Sequence, residues 1–107
     1  MCAMKRVEFL GSSYNDLCKF PKEVRRAMGA ELLRVQLGVM PTDFKPMPSV
    51  GKGVYEIRVR LDGAWRALYI AKYDAAVYVL HVFQKKTQQT AKDDIDLAEM
   101  RYRTIGG

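Results

Sequence analysis

Between residues 54 and 83 three short apolar runs stand almost end to end, separated only by turn residues. In the first, Tyr55, Ile57, Val59 and Leu61 alternate with Glu56, Arg58 and Arg60, a period of two that sends one set into a core and the other outward. Asp62-Gly63 follows, a dipeptide favoured where the central residues of a hairpin turn take positive φ. Ala64 to Lys72 then runs back, Tyr73-Asp74-Ala75 turns again, and Ala76 to Phe83 is β-branched, aromatic and free of Lys, Arg, Asp and Glu, as a central strand is. Runs this short and this closely spaced pair as an antiparallel meander, and a three-strand meander needs helices to bury its apolar face.

The flanks supply them. Lys5 to Leu10 alternates and stops at Gly11, a further strand. Ser12 and Ser13 cap a short helix over Tyr14 to Lys19, and Pro21 opens a second helix, where its missing N–H costs nothing. Val24, Met28, Leu32, Val35 and Val39 recur at spacings of three and four and form one stripe; Lys22, Arg25, Arg26 and Arg34 lie outside it as a solvated face. Pro41, Pro46 and Pro48, with Gly51 and Gly53, fill a connection of about a dozen residues, where ~4 to 6 is usual. That length suits either a functional loop or an inert crossover. Thr90 with Asp93 three residues on reads as a cap for a last helix, whose apolar face is Ile95, Ala98, Tyr102 and Ile105. The fold class is therefore α+β: a small antiparallel sheet, the N-terminal strand plus the meander, packed by two N-terminal helices and a C-terminal one. All 107 residues form one domain. The helices are expected on one face of the sheet, leaving the face that carries Arg58 open to solvent.

Composition narrows the class of function. An apolar share of 49% and a charged share of 28% describe a globular chain, not a disordered tail or a linker. No apolar run approaches the ~20 residues of a membrane span, and Lys5, Arg6 and Glu8 stand where a signal peptide keeps its apolar stretch; the expectation is a cytoplasmic protein with no membrane partner. Cys2 and Cys18 fall in no metal-binding or redox spacing and read as reduced thiols, and His81 is the only histidine, so no metal site and no cofactor is expected. The net charge of +6 is uneven. Residues 1–42 hold seven basic and four acidic groups, residues 43–90 eight and four, and residues 91–107 three and four. Such an excess draws polyanions or an acidic protein by long-range attraction, or serves solubility alone.

Most of the chemistry-bearing cations fall on the meander. Arg58 and Arg60 come from its first strand, Arg66 from the second, and Lys85 with Lys86 from the end of the third. Arginine offers phosphate a planar fork of donors and lysine a compact charge, so the group suits an RNA or DNA backbone. Tyr55, Trp65, Tyr69 and Phe83 are aromatic surface that can stack bases or fill the core. Equally, Arg58 and Arg60 can form surface ion pairs with Glu56 or Asp62. His81 can be a satisfied core histidine or a base; strict alternation gives it the parity of Val79 and Phe83, opposite to Leu80 and Val82.

The stretch Lys45-Pro46-Met47-Pro48-Ser49-Val50-Gly51-Lys52-Gly53-Val54-Tyr55-Glu56-Ile57-Arg58-Val59-Arg60 resembles the phage-related HigB-like toxins of the RelE/ParE superfamily. A second block carries the same resemblance: Val77-Tyr78-Val79-Leu80-His81-Val82-Phe83-Gln84-Lys85-Lys86-Thr87, then Thr90 and a helix with Asp94-Ile95, Ala98 and Arg101. Between them Trp65-Arg66-Ala67-Leu68-Tyr69 has Trp in the usual tyrosine position, and Thr90-Ala91 replaces the frequent Thr-Pro.

The resemblance implies a RelE-like fold and the toxin of a type II toxin–antitoxin pair, a metal-independent, ribosome-dependent mRNA endoribonuclease that inhibits translation. Its partners are then the ribosome, mRNA and a cognate helix-turn-helix antitoxin. In that reaction the ribose 2′-OH attacks the adjacent phosphate and leaves a 2′,3′-cyclic phosphate and a 5′-OH, which calls for a base, charge stabilisation and an acid. By the resemblance Arg58 occupies a catalytic basic position, Arg66 grips the phosphate, and Lys85 and Lys86 contact the transition state or the leaving group. Glu56 stands where RelE proteins have lysine, so the base is Glu56, His81 or a lysine of depressed pKa. Lys45, Lys52, Arg60 and Tyr69 are the further RNA-binding candidates. The alternatives are a ParE-type DNA gyrase inhibitor and a non-catalytic phage-derived binding protein.

Overall fold

The structure, a computed structural model, describes residues 4–105. Cys2 lies outside them; Cys18 is a free, exposed thiol. In chain order the elements are β1 (Arg6–Phe9), α1 (Ser13–Cys18), α2 (Lys22–Gln36), β2 (Phe44–Pro46), β3 (Val54–Arg60), β4 (Ala64–Ile70), β5 (Ala76–Lys85) and α3 (Lys92–Thr104). The strands make one sheet in the order β1-β5-β4-β3-β2, with β1 parallel to β5 and the other pairs antiparallel. The meander is as the alternation predicts, and its first reversal falls at Asp62 and Gly63, both at positive φ, between the paired residues Arg60 and Ala64.

The long connection is not wholly irregular. Phe44–Pro46 pairs with Tyr55–Ile57 as a fifth strand at the sheet edge. Three residues ending in proline give no readable period, and an edge is where a strand tolerates a missing N–H.

The expectation that helices cover one face only is corrected. Val24, Met28, Leu32 and Val35 of α2 pack with Ile57, Val59, Trp65, Ala67, Tyr69, Val77, Val79 and Val82 on one face. Ala98 and Tyr102 of α3 pack with Met47, Val50, Val54, Leu68, Ile70, Leu80 and Phe83 on the other. Each fully buried aliphatic side chain contributes roughly 1.5–3 kcal/mol, so both layers are substantial. Val39, the fifth member of the predicted stripe, is exposed because α2 stops at Gln36 and Gly38 turns the chain away at φ +83.

Strict alternation also fails once. Leu68 pairs with His81 and Tyr69 with Val79, so Leu80 is an extra residue in a β-bulge. Leu80, His81 and Phe83 therefore face α3, while Val79 and Val82 face α2. Arg101 of α3 donates to the Leu80 carbonyl at 2.9 Å, satisfying an oxygen of the bulged residue.

The far end of α3 is fixed by Tyr102, whose hydroxyl donates to the Lys52 carbonyl at 3.2 Å. A Cβ on Gly51 would lie 2.5 Å from this ring. Gly51→Ala is therefore expected to lower unfolding free energy by roughly 1–3 kcal/mol in urea titration, while Gly29→Ala, which meets nothing within 4 Å, leaves it unchanged or raised.

Candidate cationic groove

Three cross-strand rows run from the part of the sheet face that α3 covers to the part that it leaves open. The register sets Lys45 opposite Glu56 and Glu56 opposite Leu68, with His81 next along. A step away Arg58 stands opposite Arg66 and Arg66 opposite Phe83, and then Arg60 opposite Ala64 and Ala64 opposite Lys85. Period-two alternation thus places Lys45, Glu56, Arg58, Arg60, Arg66 and Lys85 on one face. Arg60, Gly63, Ala64, Arg66, Lys85, Thr87 and Gln88 line an open groove of about 500 Å³ there.

Glu56 lies beneath the cations. It is 1% exposed and Arg66 is 4% exposed, with Arg66 Nε 3.5 Å from Glu56 Oε1. Thr90 donates to Glu56 Oε2 at 3.0 Å. This explains why the predicted helix cap is absent: α3 is capped at Ala91 without a side-chain bond, because the Thr90 hydroxyl is engaged on the sheet. The Arg66 guanidinium donates from one terminal nitrogen to the Trp65 carbonyl at 3.0 Å. Burial lowers its pKa and the Glu56 carboxylate opposes that shift; it remains charged.

Arg58 does not pair with Glu56 or Asp62. Its Nε lies 3.4 Å from Asp43 Oδ1, and its backbone N–H donates to the Asp43 carbonyl at 3.0 Å. Both Arg58 Nε and Arg66 Nε are buried donors with no hydrogen-bond partner among the described residues. Each lies at ion-pair distance from a carboxylate, Asp43 and Glu56, so an incoming oxyanion meets instead the cations that line the groove, Arg60, Arg66 and Lys85. Lys85 is partly exposed. Its ammonium is held below the ordinary lysine range, by burial first and then by Arg66, with Lys45 and Arg58 adding to the effect and Glu56 opposing it.

Other predicted site residues lie elsewhere. His81 is 7% exposed, stacked on Phe83 with ring centroids 5.0 Å apart, and its Nε2 sits 2.7 Å from Asp94 Oδ1 on α3. It does not line the groove. Tyr69 faces α2, where it is 1% exposed and burial pushes its phenol above the usual tyrosine range, with Tyr55 adding to the shift; it is not brought to the cations. Trp65 packs on Phe20 and donates to the Leu61 carbonyl at 2.9 Å, so none of the four aromatics forms a platform in this groove. Lys52 is exposed at the β2–β3 connection, with its carbonyl under Tyr102, and Lys86 is exposed just past β5. Asp43 and Thr90 were not legible as site residues, since both act across the sheet. Among the described residues no three or more of His, Cys, Asp and Glu gather as a metal ion needs.

Removing one member of a buried ion pair leaves the other uncompensated. Glu56→Ala is expected to cost roughly 3 kcal/mol of unfolding free energy, read by urea titration. Asp43→Ala, beside a partly exposed Arg58, is expected to cost less than about 1 kcal/mol.

Comparison with known proteins agrees with this architecture. A chain in the crystal structure of the toxin–antitoxin complex RelBE2 from Mycobacterium tuberculosis superposes with a TM-score of 0.51 at 24% identity, over 77% of this chain and 99% of that one. At that identity the likeness is one of fold, and it places the five-strand mixed sheet with its three helices among RelE-like α+β structures. No curated protein matches. The model of the family described as Phage derived protein Gp49-like (DUF891) matches residues 15–103, and the chain belongs to that family.

Proposed function

We propose that this protein is a RelE-like toxin of the HigB-like kind, acting as a metal-independent mRNA endoribonuclease on the ribosome. The observation that carries this reading is the convergence of Arg58, Arg60, Arg66 and Lys85 on one sheet face, where Arg60, Arg66 and Lys85 line an open groove. A phosphodiester seated there gains charge-assisted hydrogen bonds, and they strengthen as a phosphorane adds negative charge. DNA gyrase inhibition gives no reason to build such a cradle.

Among the three choices of base, this reading favours Lys85. Glu56 is buried under Arg66 and engaged by Thr90, so it orients the arginine. His81 lies outside the groove with its Nε2 at Asp94. Lys85 remains, in the groove and with its pKa depressed, which is what a lysine needs to abstract a proton. In this reading the Lys85 amine takes the 2′-OH proton, and the 2′-oxygen attacks phosphorus. Arg58 and Arg66 hold the non-bridging oxygens. The P–O5′ bond then breaks, and the leaving oxygen takes a proton from solvent, to which the groove is open. The products are a 2′,3′-cyclic phosphate and a 5′-OH. The antitoxin partner, a cytoplasmic location and the single-domain organisation follow from the same reading; among the described residues no helix is long and apolar enough to cross a membrane.

Primer extension on a reporter mRNA in a reconstituted translation reaction tests the activity. Discrete, codon-phased 5′ ends are expected only when both protein and ribosomes are present; an intact message overturns the nuclease reading and directs the question to a gyrase supercoiling assay.

Single-turnover rates against pH test the role of Lys85. Because its pKa lies below the lysine norm, the neutral base is populated at lower pH; the rate should climb with pH and level off above that pKa. Lys85→Arg stays protonated throughout and should lose at least about 10²-fold, as should Arg58→Ala by loss of charge stabilisation. Arg25→Ala, exposed on α2, should leave the rate unchanged. Full activity in Lys85→Arg assigns Lys85 a purely cationic role.

A further inference from the structure

A second groove of about 300 Å³ adjoins the cationic one, and Gln88 lines both. We propose that it holds the unpaired base beside the reacting phosphate and determines which bases the protein cuts next to, with Gln88 and Gln89 as the reading side chains. The inference rests on the nuclease reading above.

The two grooves differ in chemistry. The polar groups of the first are mainly the cations Arg60, Arg66 and Lys85. The second presents neutral Ser49, Gln88 and Gln89 between the apolar surfaces of Pro46, Pro48 and Ile95, with Lys45 the only charged residue in its lining. A phosphate is recognised by charge, and charge carries no base identity. A base edge is recognised by neutral donors and acceptors in one plane, and a carboxamide presents one of each. Flat apolar walls suit the faces of a base turned out of its stack, as unpaired RNA allows.

Residues on both sides of the groove are held from outside it. Pro46 is paired with Tyr55 at the sheet edge, and Met47 beside it is buried. Thr90, on the opposite wall, is bonded to Glu56, which in turn sits against Arg66. Thr90, next in the chain to Gln89, is thereby linked through Glu56 to Arg66 in the first groove. The two grooves share Gln88, so a nucleotide whose phosphate occupies the first lies beside the second.

The experiment is mapping of 5′ ends along a codon-diverse mRNA in the reconstituted translation reaction, for the unaltered protein, Gln88→Ala and Gln89→Ala. Both side chains are exposed, so the fold is not at stake. Uneven cutting by the unaltered protein is expected, with the ratio of cutting at preferred over disfavoured sites falling at least about fivefold in one or both variants, the effect of losing one bidentate amide–base contact. An unchanged ratio in both variants, while the unaltered protein cuts, overturns the base-reading groove alone. Equal cutting at every codon by the unaltered protein also overturns it. No cutting by the unaltered protein overturns the nuclease reading and this inference together.

Discussion

One carboxylate allows this sheet to carry its charge. Lys45, Arg58, Arg60, Arg66 and Lys85 share a face, and unit charges 4 Å apart repel by about 4 kcal/mol at an effective dielectric of 20. Glu56 lies within that set, 1% exposed, 3.5 Å from Arg66 Nε and accepting from Thr90. It offsets one cation from below and leaves the solvent side of the groove positive. The contact is not an ideal bidentate pair, since Arg66 Nε has no hydrogen-bond partner among the described residues. The contact holds the arginine in place at ion-pair distance, where Arg66 still lines the groove.

The division of the sheet face follows from the helix that lies on it. α3 covers Leu68, Ile70 and Leu80 with Ala98 and Tyr102 and begins at Lys92, so the ends of β3, β4 and β5 nearest the Asp62-Gly63 turn remain open. The same helix supplies Asp94 to His81, and the residue two before its start supplies Thr90 to Glu56. Apolar burial sets where α3 sits, and two polar contacts set how its first turn meets the groove.

Much of this was legible in the sequence because period two is a strong signal. The meander, its Asp62-Gly63 reversal and the shared face of Arg58, Arg60 and Arg66 all follow from alternation. So do the helical stripes through Val24, Met28, Leu32 and Val35 and through Ala98 and Tyr102. What alternation cannot carry is an inserted residue, and the bulge at Leu80 moved that leucine to the face of His81 and Phe83. Nor can local pattern show a side chain spent at long range: Thr90 has the look of a helix cap and bonds a residue 34 positions away. The edge strand Phe44–Pro46 was hidden by its length and its proline. Asp43 joins the groove only through that strand's pairing, which brings its carbonyl to the Arg58 backbone N–H.

The strand order has a consequence for how the molecule is made. β1 pairs in parallel with β5, joining Arg6 to Ala76 and Phe9 to Val79, so the first strand synthesised waits for the last before it has a neighbour in the sheet. The groove waits longer, because Lys85 and the Thr90 contact to Glu56 come after nearly all of the apolar core has been translated. Pairings at such sequence separation form slowly, and a chain still emerging from the ribosome carries Arg58 and Arg66 on a hairpin with neither Lys85 beside them nor Thr90 on Glu56. The cationic site is thus a late product of biosynthesis, complete only once the chain through Thr90 has been made.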